Sequence, residues 1–312
     1  MLLLLFAFYP SYGLAEPSPE DFPQEGDFSG TSLLYVSDYY SFIGQDDQGH
    51  VAFAIDMNRG KDGGAYQAEH FVVLHDERQG WIDIQGNGSY DNIEKALADI
   101  PDSFTFQYSG NPEFGVTITS HQNDLTLSTS PIVKSLYRTH NGGEVWMGSA
   151  SAKLQWAERT LTGRVIYEYL MMPEFNRLSR TYWGLWKEYQ GFYLSLQGGG
   201  DLYIHHQRSD LLTPLIGELD GFLSIKGKSE RFQVLQLTPL SLRQALGFYQ
   251  WPMKWALRWV TAQGGGEVQL ELSEMHAVAN WVIGGFAMGI IQGTVNYQGK
   301  AIPVYGLAEL IM

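Results

Sequence analysis

The sequence predicts an all-β protein of antiparallel sheets closing into barrels or a sandwich, and three observations carry that prediction. Polar and apolar residues alternate with period two along many short stretches, such as SFTFQYSG, GVTITSH and DLTLSTS. Glycine is abundant, with 35 residues, and several glycines stand where hairpin turns would separate such stretches. Helical periodicity is clear in one short segment only, DNIEKALADI at Asp91–Ile100, which reads as an amphipathic insertion.

The bulk numbers suit this class. A chain of 312 residues with 44% hydrophobic and 14% aromatic content can bury a sizeable core. Each half opens with an aromatic strand and closes with a long run of alternating residues. Two similar units are therefore expected, over residues 31–175 and 176–312. The formal charge of -14 argues against nucleic acid and anionic membrane surfaces as partners, since both draw on Lys/Arg patches. There is no cysteine, which removes disulfides, thiol nucleophiles and thiolate metal sites.

In chain order, Met1–Ala15 holds an apolar run, LLLLFAF, followed by small residues. It reads as a signal peptide cut after Ala15, which predicts a periplasmic or secreted protein. Residues 16–30 are acidic and rich in proline and glycine, a lead-in without a core of its own. Two strands then flank the turn Gln45–Gly49, and two more flank a turn near Asp76–Gly80. Ser241–Trp259 is ambiguous. Its opening has helical character, but Gly247 and Pro252 favour a loop that becomes a strand at Met253. Gln263–Gly266 reads as a hairpin turn.

The most legible stretch is Gly163–Arg208, which reads as strand, loop, strand, glycine turn, strand. Ile166, Glu168 and Leu170 share one face of the first strand, placing a carboxylate among aliphatic neighbours. Phe192, Leu194 and Leu196 share a face of the second. The chain turns at Gly198–Gly200 and returns as Leu202, Ile204 and His206.

Several patterns, taken in order, resemble a known family. Asp38–Gly44, then Gly49–Phe53 with Asn58-Arg59, is similar to the opening of AttH-like and carotenoid-hydratase (hydroxyneurosporene synthase) proteins. His70–Asp76, Gly163–Tyr169, Gly191–Arg208, Gly247–Trp255 and Gly293–Leu310 resemble later segments of the same proteins. The resemblance covers nearly the whole chain after Ser32. It implies two lipocalin-like (calycin) barrels with a pocket for an apolar, isoprenoid- or lipid-like ligand, and a hydratase-type lyase activity in some members. One departure bears on chemistry. Where the family strand carries Trp and then Asp-His, this chain has Ile166 and then Glu168-Tyr169.

Hydrating an isolated alkene needs a proton donor aimed at carbon, and an apolar wall raises a carboxyl's pKa so that it can donate. On that reading Glu168 is the acid, and Tyr169 or His206 positions water. Tyr39, Tyr40, His70, Trp183, Trp186, Tyr193, His205, Tyr249 and Trp251 are the candidate ligand-lining residues. Each has a plainer role as core filling, and Glu168 has one as the ion-pair partner of Arg164 or Arg180. His205 and His206 are adjacent in a strand and point to opposite faces, so they do not jointly hold a metal. No cofactor-binding or metal-binding motif stands out. Two alternatives stay open beside the hydratase reading: a non-catalytic carrier or interaction module of the cell envelope, and a polysaccharide-acting β-protein. Oligomeric state and ligand identity are open too.

Overall fold

A computed structural model describes residues 34–62, 65–86, 88–93, 105–140, 143–172, 188–208, 217–245, 249–281 and 284–311. The predicted signal peptide, the lead-in and the unit boundary near residue 175 lie outside these. The fold is all-β. The first unit comprises β1 (Leu34–Asp46), β2 (Gly49–Asp62), β3 (Ala65–Asp76), β4 (Gly80–Ile82), β5 (Gly88–Ile93), β6 (Gln107–Asn111), β7 (Gly115–Ser120), β8 (Leu125–Thr129), β9 (Val133–His140), β10 (Gly143–Trp156) and β11 (Arg159–Met172). The second comprises β12 (Glu188–Leu196), β13 (Gly200–Arg208), β14 (Gly217–Ile225), β15 (Lys228–Arg231), β16 (Val234–Ala245), β17 (Tyr249–Thr261), β18 (Gly264–Trp281), β19 (Gly284–Tyr297) and β20 (Lys300–Ile311).

The two sheets share one topology. In the eleven-stranded sheet the first strand pairs with the last, β1 with β11; in the nine-stranded sheet β12 pairs with β20 in the same way. Each is thus a meander rolled until its ends meet. The nine-stranded sheet's two edges are the consecutive strands β15 and β16. Rolling lets each sheet enclose its own side chains, the lipocalin-like solution to covering an antiparallel sheet.

Three cores result. One lies inside the first barrel and includes Phe42, Phe53, Ile55, Leu127, Leu154 and Val165. A second lies inside the other and includes Phe192, Leu194, Leu202, Ile204, Trp255 and Leu257. The third lies between the barrels, where Tyr39, Ile43, Ala54, Met147 and Ile166 meet Tyr193, Tyr203, Phe222, Met288 and Leu307. Strands at this junction are buried on both faces: every residue from Val36 to Gly44 in β1 is buried.

Two local expectations need correction. Asp91–Ile93, placed in a helix by sequence pattern, close β5, where Gln67 pairs with Asp91 and Tyr66 with Ile93; the rest of that segment lies outside the described residues. The expected loop after Ser241 is a strand instead. β16 runs to Ala245 and β17 begins at Tyr249, with Pro252 opposite Leu242. The register shifts on either side of Ser241, and such a bulge tolerates a residue without an N–H.

Candidate functional site

Glu168 lies on β11 opposite Tyr39 of β1 and Met147 of β10, on the face turned toward the second barrel. It is half-buried. Two phenols of the second unit reach its Oε2: Tyr203 donates at 3.3 Å and Tyr193 at 3.5 Å. Tyr39 packs on Tyr193 with ring centroids 4.9 Å apart, and Tyr193 lies 5.2 Å from Tyr203. Tyr189 meets Tyr193 hydroxyl to hydroxyl at 3.2 Å and lies 5.2 Å from the His205 ring. The result is a set of aromatic rings between the barrels with a carboxylate at its centre.

Electrostatics keep these phenols protonated. Burial pushes the pKa of Tyr39, Tyr189 and Tyr193 well above the ordinary value. Nearby acids raise all three further: Glu309 and Asp56 ahead of Glu168 at Tyr39, and Glu168 ahead of Glu309 at Tyr189 and Tyr193. Each is therefore an O–H donor at neutral pH. The Tyr39 hydroxyl is buried and makes no hydrogen bond among the described residues. A buried donor in that state costs about 1–3 kcal/mol unless something accepts from it.

The other sequence candidates go elsewhere. Tyr169, Tyr40 and His70 face the interior of the first barrel, because side chains alternate along a strand. There the Tyr40 hydroxyl donates to that of Tyr108 at 3.3 Å, and Tyr169 lies 4.0 Å from the Met171 sulfur. His206 shares the parity of Leu202 and Ile204 and so faces the second barrel's core, whereas buried His205 faces the junction. Glu168, Tyr169 and His206 thus face three different compartments and cannot act on one substrate atom. Tyr249 and Trp251 lie in β17, their side chains outside the described residues, and Trp183 and Trp186 lie outside them altogether. Arg164, the suggested partner of Glu168, instead pairs with buried Asp201 across the junction.

Sequence reasoning missed two groups. One is Tyr189, Tyr203 and Glu309, which complete the junction. The other is a polar knot inside the first barrel. There Asp38 accepts from the Tyr167 hydroxyl at 2.6 Å and from the Arg59 Nη2 at 2.7 Å. His70 shares this interior; burial, with Arg59 nearby, depresses its pKa to about 4. A signal for the first group existed. Tyr203 and His205 share a face that alternation sets opposite Leu202 and Ile204, so β13 had to be covered on both sides.

The short hairpins β1–β2, β10–β11, β12–β13 and β19–β20 all lie at one end of the junction. Glu168 lies toward the other, four residues before β11 ends at Met172. At the hairpin end the barrels part to leave a cleft of about 780 Å³. Inside each barrel the described residues form a core of large apolar side chains. The cleft has mixed polar and apolar walls and lies between the units.

No protein-family model matches the chain. None of the curated proteins matches it either. Solved structures do. A protein from Nitrosomonas europaea provisionally designated AttH aligns over 96% of this chain and 98% of its own, with a TM-score of 0.59 and 14% identity. Kievitone hydratase from Nectria haematococca aligns over 90% of this chain and 89% of its own, with a TM-score of 0.50 and 12% identity. At such identities the likeness is one of fold. The structure fits the AttH-like, lipocalin-like family that the sequence resembles.

Proposed function

We propose that the protein binds a small, largely apolar molecule at the junction of its barrels and adds water across a carbon–carbon double bond, with Glu168 carrying the proton. The observation behind this is the half-buried Glu168 carboxylate set among Tyr39, Tyr193 and Tyr203, with the pKa values of Tyr39 and Tyr193 raised by burial so that these two stay protonated. In its acid form Glu168 protonates the alkene carbon and leaves a carbocation. The faces of the surrounding rings stabilise that positive charge. Water adds to the cation, and the resulting oxonium returns its surplus proton to Glu168, so the net change is the addition of one water. Tyr193 and Tyr203 hold the carboxylate through the cycle, and Tyr39 supplies a donor for a polar atom of the substrate. The shared fold of a protein named as a hydratase agrees with this reading.

The test uses the purified full chain with a panel of isoprenoid alkenes in heavy-oxygen water. The expected result is label uptake that Glu168→Gln abolishes while binding of an apolar fluorophore persists. Undiminished uptake in Glu168→Gln would refute the assignment. The packed apolar cores of the two barrels favour a second reading, a non-catalytic carrier or interaction module of the envelope. That reading predicts ligand capture without label uptake in any variant. We also propose export, on the strength of the apolar leader Met1–Ala15. Amino-terminal sequencing of protein recovered from the periplasm or medium tests it, and an intact leader there would count against cleavage after Ala15.

A further inference from the structure

The hairpin-end cleft lies about 13 Å along β11 from Glu168, judging by the four-residue step from Arg164 to Glu168. It takes no part in the proposed chemistry. Its volume, about 780 Å³, falls within the range of small-molecule sites. Its walls mix apolar side chains, among them Leu196 and Pro303, with hydrogen-bonding groups. Three exposed amides, Gln45, Gln197 and Gln292, and three hydroxyls, Thr162, Ser195 and Thr294, line it from both units. Each amide offers two donors and an acceptor on one plane, and each hydroxyl offers both roles.

The charges that reach the cleft are already paired. Arg164 gives its Nε and Nη2 to Asp201, its Nη1 to Ser151 at 3.0 Å and its Nη2 to Ser149 at 3.3 Å. Glu77 accepts from the backbone and ring of His50, at 2.8 and 2.9 Å. Among the described lining residues no further Lys or Arg is present to draw a phosphate or carboxylate. One wall is aromatic: His50 stacks on Tyr305 with centroids 4.4 Å apart and planes 18° apart.

We infer that this cleft is a second ligand site, for an uncharged polyhydroxylated molecule such as a short neutral oligosaccharide. Vicinal hydroxyls match planar amides that donate and accept side by side. The C–H face of a sugar ring packs on an aromatic plane, burying apolar area at little desolvation cost. The site binds rather than hydrolyses. Glycoside cleavage uses two free carboxyl groups facing the bond, and here Asp201 is held by Arg164 and Glu77 by His50.

Saturation-transfer NMR and titration calorimetry on the full chain, with cellotriose, maltotriose and chitotriose as neutral probes, test the inference. Inorganic phosphate and a uronic-acid disaccharide serve as charged competitors. Saturable binding of at least one neutral trisaccharide is expected, weakened about tenfold or more by Thr162→Trp, which fills the cleft. The exposed double substitution Gln197→Ala/Gln292→Ala should weaken it as well, and decides the matter should Thr162→Trp fail to fold. Glu168→Gln should leave it unchanged, so failure here and failure of the hydratase reading are read separately. No saturable trisaccharide binding, binding indifferent to both cleft variants, or preferential binding of a charged competitor would each overturn the inference.

Discussion

Acidification provides a test of the first barrel's interior through His70. This imidazole is almost wholly buried, at 2% exposure, and its pKa falls from 6.5 to about 4, first through burial and then through the Arg59 charge. In the unfolded chain it titrates near 6.5. A histidine with a depressed folded pKa contributes stability that is full above 6.5 and is lost as pH falls toward 4. The whole difference corresponds to about 3 kcal/mol, at 1.36 kcal/mol per pH unit. About 2 kcal/mol of it is already lost at pH ~5, before most carboxylates titrate. The perturbation is His70→Phe, which keeps the ring's bulk and removes the titration. Unfolding free energies from denaturant curves at pH ~7 and pH ~5 should show the parent losing about 2 kcal/mol more than the variant on acidification. The imidazole resonance absent from the variant should titrate near 4 in the parent. Parallel pH dependences, or a resonance titrating near 6.5, would show that His70 is not held neutral by this interior.

Two further outcomes follow from the geometry. Tyr39→Phe removes a buried hydroxyl that has no partner among the described residues, so thermal stability should hold or rise by up to about 1 kcal/mol. Affinity for the apolar ligand should nevertheless fall about five- to tenfold, and a parallel loss of both would mark Tyr39 as structural. Gly163→Ala should be costly, since its Cβ would lie 2.1 Å from the Ile43 carbonyl oxygen and 2.5 Å from the Gly44 Cα. Neither backbone atom can retreat without opening the β1–β11 pairing at Gly44–Gly163. A destabilisation of about 3 kcal/mol is expected in the denaturant midpoint, and an unchanged midpoint would disprove so tight a crossing.

The fold was legible because antiparallel strands write their faces into the sequence. Phe192, Leu194, Leu196, Leu202 and Ile204, grouped by alternation alone, all belong to the second barrel's core. The site was legible only in part, and the reason is physical. Alternation says which residues share a face but not what that face meets. In strands covered on one side the polar set is outside by default. β1, β11 and β13 are covered on both sides, so lumen and junction look alike in sequence. Hence Glu168 and Tyr169, neighbours in the chain, read as parts of one chemistry although a strand sends them to opposite faces.

What makes Glu168 distinctive is its company, and that company is non-local. Tyr193 and Tyr203 are separated from it by 25 and 35 residues, and Glu309 arrives from the last strand. Each of these is unremarkable by itself: a tyrosine in a core, an acid near a strand end. Their convergence depends on docking one rolled sheet against another, which no pattern within either sheet specifies. Local pattern explains less still at Asp91–Ile93, where helical periodicity gives way to pairing with β3, because ladder hydrogen bonds to an existing strand outweigh a weak intrinsic preference. A large residue on each face of one strand is therefore the informative sequence signal. Tyr203 and Leu202 in β13, like Tyr39 and Tyr40 in β1, mark strands with two covered sides, and the face carrying acids among its aromatics is the one to test for chemistry.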